Sequence, residues 1–169
     1  MHAAVVELLG EQRWDEVNIP LIAERSGVHP ATIYRRWGSV AALADDLVAA
    51  RLGEAAPIPD TGTLRGDLEL AAVRFADAIA GPRAGILLRA AALSAPTDEA
   101  PVTLRTRAGQ LQHVLDRAAA RGEKAPTLVE LLEGITAPLY FHALLFGRPA
   151  DARHARELVD RLMIFVEAR

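Results

Sequence analysis

The chain has 169 residues and a formal net charge of −3, so it has room for one or two small domains and lacks a global basic field for binding nucleic acid. Hydrophobic residues make up 51% and charged residues 24%, which excludes intrinsic disorder as the main state. Aromatic residues make up 5%, and the abundance of alanine and arginine favours helices. The absence of cysteine excludes disulfides, thiolate metal sites and cysteine nucleophiles.

Neither a membrane span nor a leader is predicted. No uninterrupted apolar run approaches the roughly 18 residues that a bilayer requires. The first ten residues lack the basic start and the long apolar stretch of a signal peptide. We therefore expect a soluble, cytoplasmic protein.

The first 52 residues predict four short helices. Asn18 can cap the second helix, and Gly27 ends it because glycine accepts the left-handed conformation of a sharp turn. Pro30 suits the first turn of the third helix, which places His29 at the cap position. The four helices are predicted at residues 3–13, 18–26, 30–37 and 40–53.

Five longer helices are predicted beyond a loop at residues 55–63. Apolar residues at helical spacing place them at residues 64–80, 84–95, 102–121, 128–146 and 151–168. No segment has a convincing strand pattern, internal repeat or heptad run. The predicted fold class is therefore all-α, with about nine helices.

The second and third helices form a helix-turn-helix pattern around a Ser-Gly-Val turn. In this motif the later helix presents its N-terminal side chains to base edges in the major groove. Residues 25–44 hold three arginines and no acidic residue, although residues 1–52 together hold five arginines and seven acidic residues. Such a local clearing of negative charge favours proximity to phosphates.

Two segments of this region carry a family resemblance: Ile-Ala-Glu-Arg-Ser-Gly-Val at residues 22–28 and Ala-Thr-Ile-Tyr-Arg-Arg-Trp at residues 31–37, which Ser39 and Leu43 follow. Together they resemble the DNA-binding domain of the tetracycline-repressor (TetR) family. Several segments between residues 118 and 149 are more loosely similar to one common type of TetR C-terminal domain. The resemblance implies a helix-turn-helix DNA-binding domain at residues 1–45, with the motif at about 19–38. Residues 46–169 would form a ligand-binding and dimerisation domain.

The family resemblance also implies a function. The protein would be a ligand-responsive repressor that binds a palindromic double-stranded DNA operator as a homodimer and is released by a small, mainly apolar effector. Tyr34 and Thr32 would contact phosphates, and Arg35 or Arg36 would read a guanine, a contact worth about 1–3 kcal/mol of discrimination. The implied DNA-binding residues are His29, Pro30, Ala31, Thr32, Tyr34, Arg35 and Arg36.

The C-terminal helices supply candidates for the effector pocket and the dimer interface. Periodicity marks these residues only as members of apolar faces, and the family analogy assigns some of them to the pocket rather than to the core. The pocket candidates are Phe75, Leu88, Leu111, His113, Leu115 and Tyr140. The apolar faces of the last two helices give the dimer candidates, which are Leu131, Ile135, Leu139, Leu158, Leu162 and Phe165. The alternative for both sets is burial within the monomer.

The main alternative function is a helical ligand-binding or interaction protein of the same fold with weak or lost DNA binding. Two departures from the family pattern favour it: Val40 stands where the family usually has a lysine, and few residues precede Ala3. No metal site or cofactor is predicted, because the histidines lack metal-ligand spacing. No catalytic motif such as a Gly-x-Ser-x-Gly elbow is present, so an enzyme is not expected.

Overall fold

The structure, a computed structural model, describes residues 1–13, 16–54, 59–80, 84–85, 87–88, 102–146 and 150–169. Most of these residues are helical and none is in a strand, which confirms the all-α class. The helices are α1 (His2–Glu11), α2 (Ile19–Ser26), α3 (Pro30–Trp37), α4 (Val40–Glu54), α5 (Leu64–Ala78), α6 (Val102–Ala120), α7 (Leu128–Leu145) and α8 (Ala152–Glu167). Residues 84, 85, 87 and 88 are also helical. The rest of the helix predicted at 84–95 lies outside the described residues.

The first four helices pack around a common core. Asn18 caps α2 as predicted, because its Oδ1 accepts a hydrogen bond of 3.0 Å from the backbone N–H of Leu21. Each helix of this unit contributes a fully buried side chain, and these are Leu8, Ile22, Ile33 and Leu43. The core fixes the orientation of α3 relative to its three neighbours.

The C-terminal helices form a second layer of packing. α5 lies against α6 and α8, and α4 lies against α6, so α4 joins the N-terminal unit to the rest of the chain. Thr127 and Asp151 cap α7 and α8. The fully buried apolar side chains here include Leu64, Leu68, Leu111, Val114, Leu139 and Val159.

A π-helical turn interrupts α7 at Leu132–Thr136. Pro138 follows within two residues and has no backbone N–H to donate, which favours a local change in the hydrogen-bond pattern. In the same turn a Cβ at Gly134 would lie 3.4 Å from Cδ1 of Leu162. Gly134 thus faces Leu162 of α8, with room for an ordinary side-chain contact.

A buried carboxylate anchors the start of α5. Oδ1 of Asp67 accepts hydrogen bonds from the backbone N–H of Thr61 at 2.6 Å and from its hydroxyl at 2.9 Å. Oδ2 accepts from Arg117 and Arg121 of the α6 region, each at 3.4 Å. Burial raises the pKa of Asp67, but the hydrogen bonds from Thr61 and Arg117 more than offset it, so the pKa lies below its ordinary value.

Helix α7 corrects the expectation that no segment approaches the length of a membrane span. Its 18 residues have a mean hydropathy of 1.3, so by length and composition alone the helix is long and apolar enough to cross a membrane. Periodic counting missed this because Glu130 and Glu133 interrupt the apolar run. Of this segment 28% is buried inside the protein, and its buried residues include Leu131, Ile135 and Leu139.

Candidate nucleic-acid interface

The turn between α2 and α3 has the geometry that the sequence predicts. Gly27 ends α2 with φ of 69°, in the left-handed region that glycine adopts without strain. Nδ1 of His29 accepts a hydrogen bond of 3.2 Å from the backbone N–H of Ala31, so His29 is the N-cap of α3. Because Nδ1 accepts, the imidazole proton lies on Nε2. The Nε2–H group of His29 is therefore the donor that can bind an external acceptor.

Helix α3 buries one side chain and exposes the polar ones. Ile33 is fully buried and anchors the helix to the N-terminal core. Tyr34 is 51% exposed. Six of the seven predicted DNA-binding residues are exposed and Pro30 is half-buried. The structure thus brings the predicted set together on one short helix and its cap.

The two arginines of α3 have different surroundings. The guanidinium of Arg36 lies 4.6 Å from the centre of the Trp37 ring, in cation–π geometry. Arg35 is exposed and pairs with no carboxylate of the described residues. Arg35 is therefore the better candidate for reading a base, whereas stacking restricts the reach of Arg36.

Arg25 is occupied by an intramolecular ion pair. Its guanidinium donates hydrogen bonds of 3.1 and 2.9 Å to the carboxylate of Glu11 in α1, and Glu7 lies 3.8 Å away. The hydrogen bond from Arg25 lowers the pKa of Glu11 below its ordinary value. The positive charge available to DNA therefore comes from Arg35 and Arg36, while Arg25 joins α2 to α1.

The predicted effector-pocket residues do not form a single group. Phe75 and Tyr140 meet edge to face, with ring centroids 5.1 Å apart, and Leu88, Leu111 and Leu115 are buried. His113 is exposed on α6, since it lies about 200° around the helix from Leu111. The structure therefore corrects the predicted set by placing His113 on a different face.

The sequence reasoning missed Arg107, which lies beside this aromatic pair. Its guanidinium lies 4.9 Å from the centre of the Phe75 ring, and the residue is 5% exposed. The signal was present in the sequence: Arg107 occupies the same helical stripe as the buried Leu111, Val114 and Ala118. A charged residue on an apolar helical stripe is expected to be buried, and a buried charge requires hydrogen-bonding or oppositely charged partners.

The predicted dimer residues are mostly used inside the protomer. Leu131, Ile135, Leu139, Leu158 and Leu162 belong to the hydrophobic core, whereas Phe165 is exposed. This placement corrects the predicted interface, because periodicity identifies an apolar face without telling which neighbour covers it. The large apolar side chains that α7, its end and α8 do expose are Val129, Phe141, Leu145, Phe146, Ile164 and Phe165.

Comparisons with known protein families match nearly the whole chain. Residues 2–47 match the model described as "Bacterial regulatory proteins, tetR family". Residues 58–162 match the model described as "Tetracyclin repressor-like, C-terminal domain". The chain belongs to the TetR family. It is therefore a TetR family transcriptional regulator with an N-terminal helix-turn-helix domain.

Curated TetR family relatives agree with this assignment. The chain is 31% identical to the HTH-type transcriptional regulator AqdR of Rhodococcus erythropolis over 71% of its own length and 60% of the length of AqdR. It is 27% identical to the uncharacterized HTH-type transcriptional regulator YdeS of Bacillus subtilis, over 98% of its own length and 87% of that relative. The uncharacterized regulator Rv1556 of Mycobacterium tuberculosis is also 27% identical, over 96% and 83%.

Membership of the TetR family connects the exposed residues of α3 with DNA binding. Regulators of this family bind DNA, typically act as dimers and respond to small-molecule effectors, and they are generally not enzymes. Within the described part of the chain no three metal-ligating side chains cluster. The exposed residues of α3 are thus the candidate DNA contacts of a transcriptional regulator.

Proposed function

We propose that this TetR family protein is a ligand-responsive repressor that binds a palindromic operator as a homodimer and is released by a small, mainly apolar effector. The observation that carries the proposal is α3, which buries Ile33 and exposes Thr32, Tyr34 and Arg35. Hydroxyl and guanidinium groups on a short exposed helix are the donors that phosphates and guanines accept from. Binding to chromosomal DNA agrees with a cytoplasmic location.

The dimer is supported by the apolar side chains exposed along α7 and α8. Phe141 and Phe146 also contact each other edge to face, with ring centroids 5.5 Å apart. Large apolar side chains clustered at a surface mark interaction sites, and two-fold pairing of one face is the commonest closed arrangement. A dimer would place two copies of α3 on half-sites about 34–36 Å apart.

Coupling between effector and operator would pass through α4. This helix packs against α3 on one side and against α5 and α6 on the other. An effector can release the operator only if it favours one spacing of the two α3 helices over the other. The carboxylate of Asp46 in α4 accepts a hydrogen bond from Trp37 in α3, which supports a rigid connection between the two.

The test is a selection of bound sequences from random double-stranded DNA, at about 50 and 200 mM salt. We expect an enriched palindrome, with affinity that falls steeply between the two salt concentrations. Light scattering on the same sample gives the oligomeric state. Failure to enrich any sequence would contradict the repressor. It would favour the alternative of a ligand-binding protein that has lost DNA binding. Val40 supports this alternative, because it is partly buried against the core and offers no cation to a phosphate.

A further inference from the structure

Arg107 is the buried cation of the effector domain. It belongs to α6, its Nη2 donates a hydrogen bond of 3.0 Å to the carbonyl oxygen of Ala71 in α5, and it lies close to Tyr140 of α7. Three helices therefore meet at this guanidinium. These helices also contribute Leu68, Leu111 and Leu139 to the hydrophobic core that includes Phe75.

The hydrogen-bonding capacity of Arg107 is only partly used. A guanidinium has five N–H donors. Apart from the bond to Ala71, Nη1 has a distant contact of 3.5 Å with Oε1 of Gln110. Nε is buried, and no described residue accepts a hydrogen bond from it. No carboxylate of the described residues pairs with Arg107.

An uncompensated buried cation is costly to a folded protein. Burial lowers the pKa of Arg107 to about 10, and the nearby Tyr140 phenol opposes this shift. The side chain therefore remains charged at neutral pH. A guanidinium that is fixed in place and short of acceptors is suited to bind a carboxylate, which matches its fork of donors.

The surroundings of Arg107 are aromatic. The Phe75 ring stacks against the guanidinium at 4.9 Å and meets Tyr140 edge to face at 5.1 Å. Such rings accept a flat apolar body beside them, in offset-stacked or edge-to-face contact. The cluster thus places one cation beside two aromatic rings.

We propose that Arg107 is the anion-binding residue of the effector site, and that the effector is a small aromatic carboxylate whose acid group pairs with Arg107 and whose ring packs on Phe75 and Tyr140. This inference rests on the proposed effector-responsive function and narrows its ligand class. Phe75 and Tyr140 then serve as the apolar walls expected of a ligand site.

Isothermal titration calorimetry tests the inference with benzoate, 2-naphthoate and 3-phenylpropanoate, each compared with its neutral primary amide. We expect at least one carboxylate to bind, and its amide to bind at least about 10-fold more weakly, since a hydrogen bond between charged groups contributes more than one to a neutral amide. Arg107→Met should abolish the preference for the acid, and Arg107→Lys should retain part of it. Arg105→Met, an exposed position on the same helix, is the matched control and should bind as the wild type does.

Operator binding by each variant, measured with the selected DNA, separates the two proposals. Arg107→Met should bind the operator with unchanged affinity, which shows that the variant is folded. Equal binding of acid and amide, no binding of any carboxylate, or unchanged acid preference in Arg107→Met would overturn the anion site while leaving the repressor intact. If the wild-type protein bound the carboxylate through Arg107 but bound no DNA, the proposed repressor function would be overturned and the anion site would stand.

Discussion

Nε1 of Trp37 donates a hydrogen bond of 2.9 Å to Oδ2 of Asp46, which joins the end of α3 to the second turn of α4. Trp37 also supports Arg36 through its ring. The same indole thus fixes α3 to α4, the helix that joins the N-terminal unit to the rest of the chain. Both interactions depend on the Trp37 side chain.

Removing the acceptor of this bond should weaken the connection. Asp46→Ala should lower the free energy of unfolding by about 0.5–1.5 kcal/mol and weaken operator binding, because α3 loses a restraint on its orientation. Asp46→Asn keeps a carbonyl acceptor and should lose less. Urea unfolding and fluorescence anisotropy with operator DNA measure the two effects. Equal behaviour of the two variants would show that the hydrogen bond has no role.

Arg35 should contribute sequence preference as well as affinity. Arg35→Ala should weaken operator binding and relax the preference at one base pair by about 1–3 kcal/mol. Arg25→Ala is a matched control, because it removes one arginine from the same domain at a side chain held by Glu11. Binding to operators with single base changes distinguishes the two. If Arg25→Ala relaxed the preference as strongly, direct reading by Arg35 would be excluded.

His29 should stabilise α3 as its N-cap. His29→Ala removes the acceptor for the backbone N–H of Ala31 and should cost about 0.5–2 kcal/mol. His29→Ser supplies another capping oxygen and should recover most of the stability. Operator affinity should fall in both variants if Nε2 of His29 also contacts DNA. Thermal unfolding and operator titration together separate capping from contact.

Asp67 should make the protein sensitive to acid. Because its folded pKa lies below the unfolded value of 3.8, its contribution is present above that value and is lost as the pH falls through the folded pKa. Asp67→Asn should therefore lower the free energy of unfolding at pH 7 by about 1–3 kcal/mol, and the difference from the wild type should shrink below about pH 4. Asp77→Asn, an exposed change of the same kind on the same helix, is the matched control for the stability measurement at pH 7.

The exposed apolar side chains of α7 should hold the dimer together. Phe141→Asp places a charge in the proposed interface and should give a mass near 18.2 kDa by light scattering, rather than twice that value. Operator binding should then weaken by about 100-fold or more, since two linked sites are lost together. Leu70→Asp, at an exposed position of α5, is the control. A Phe141→Asp protein that stays dimeric would move the interface elsewhere.

Local chemistry determined the helix-turn-helix from the sequence alone. Asn18, Gly27 and His29 act on their immediate neighbours, through a cap, a left-handed turn and a second cap. Such interactions need no distant partner, so the positions of α2 and α3 followed from the order of residues. The family resemblance rests on this same segment.

Only the tertiary structure decided what covers each apolar face. Helical periodicity groups Leu131, Ile135 and Leu139 on one face, but the packing of α7 against the protomer core showed that they lie inside the protomer. The same packing leaves the side chains of Phe141 and Phe165 exposed on the surface. The burial of Arg107 also depends on α5 and α7, which are more than 20 residues away along the chain. Burial is a property of the neighbours that a side chain meets in space, and those neighbours are set by the whole fold.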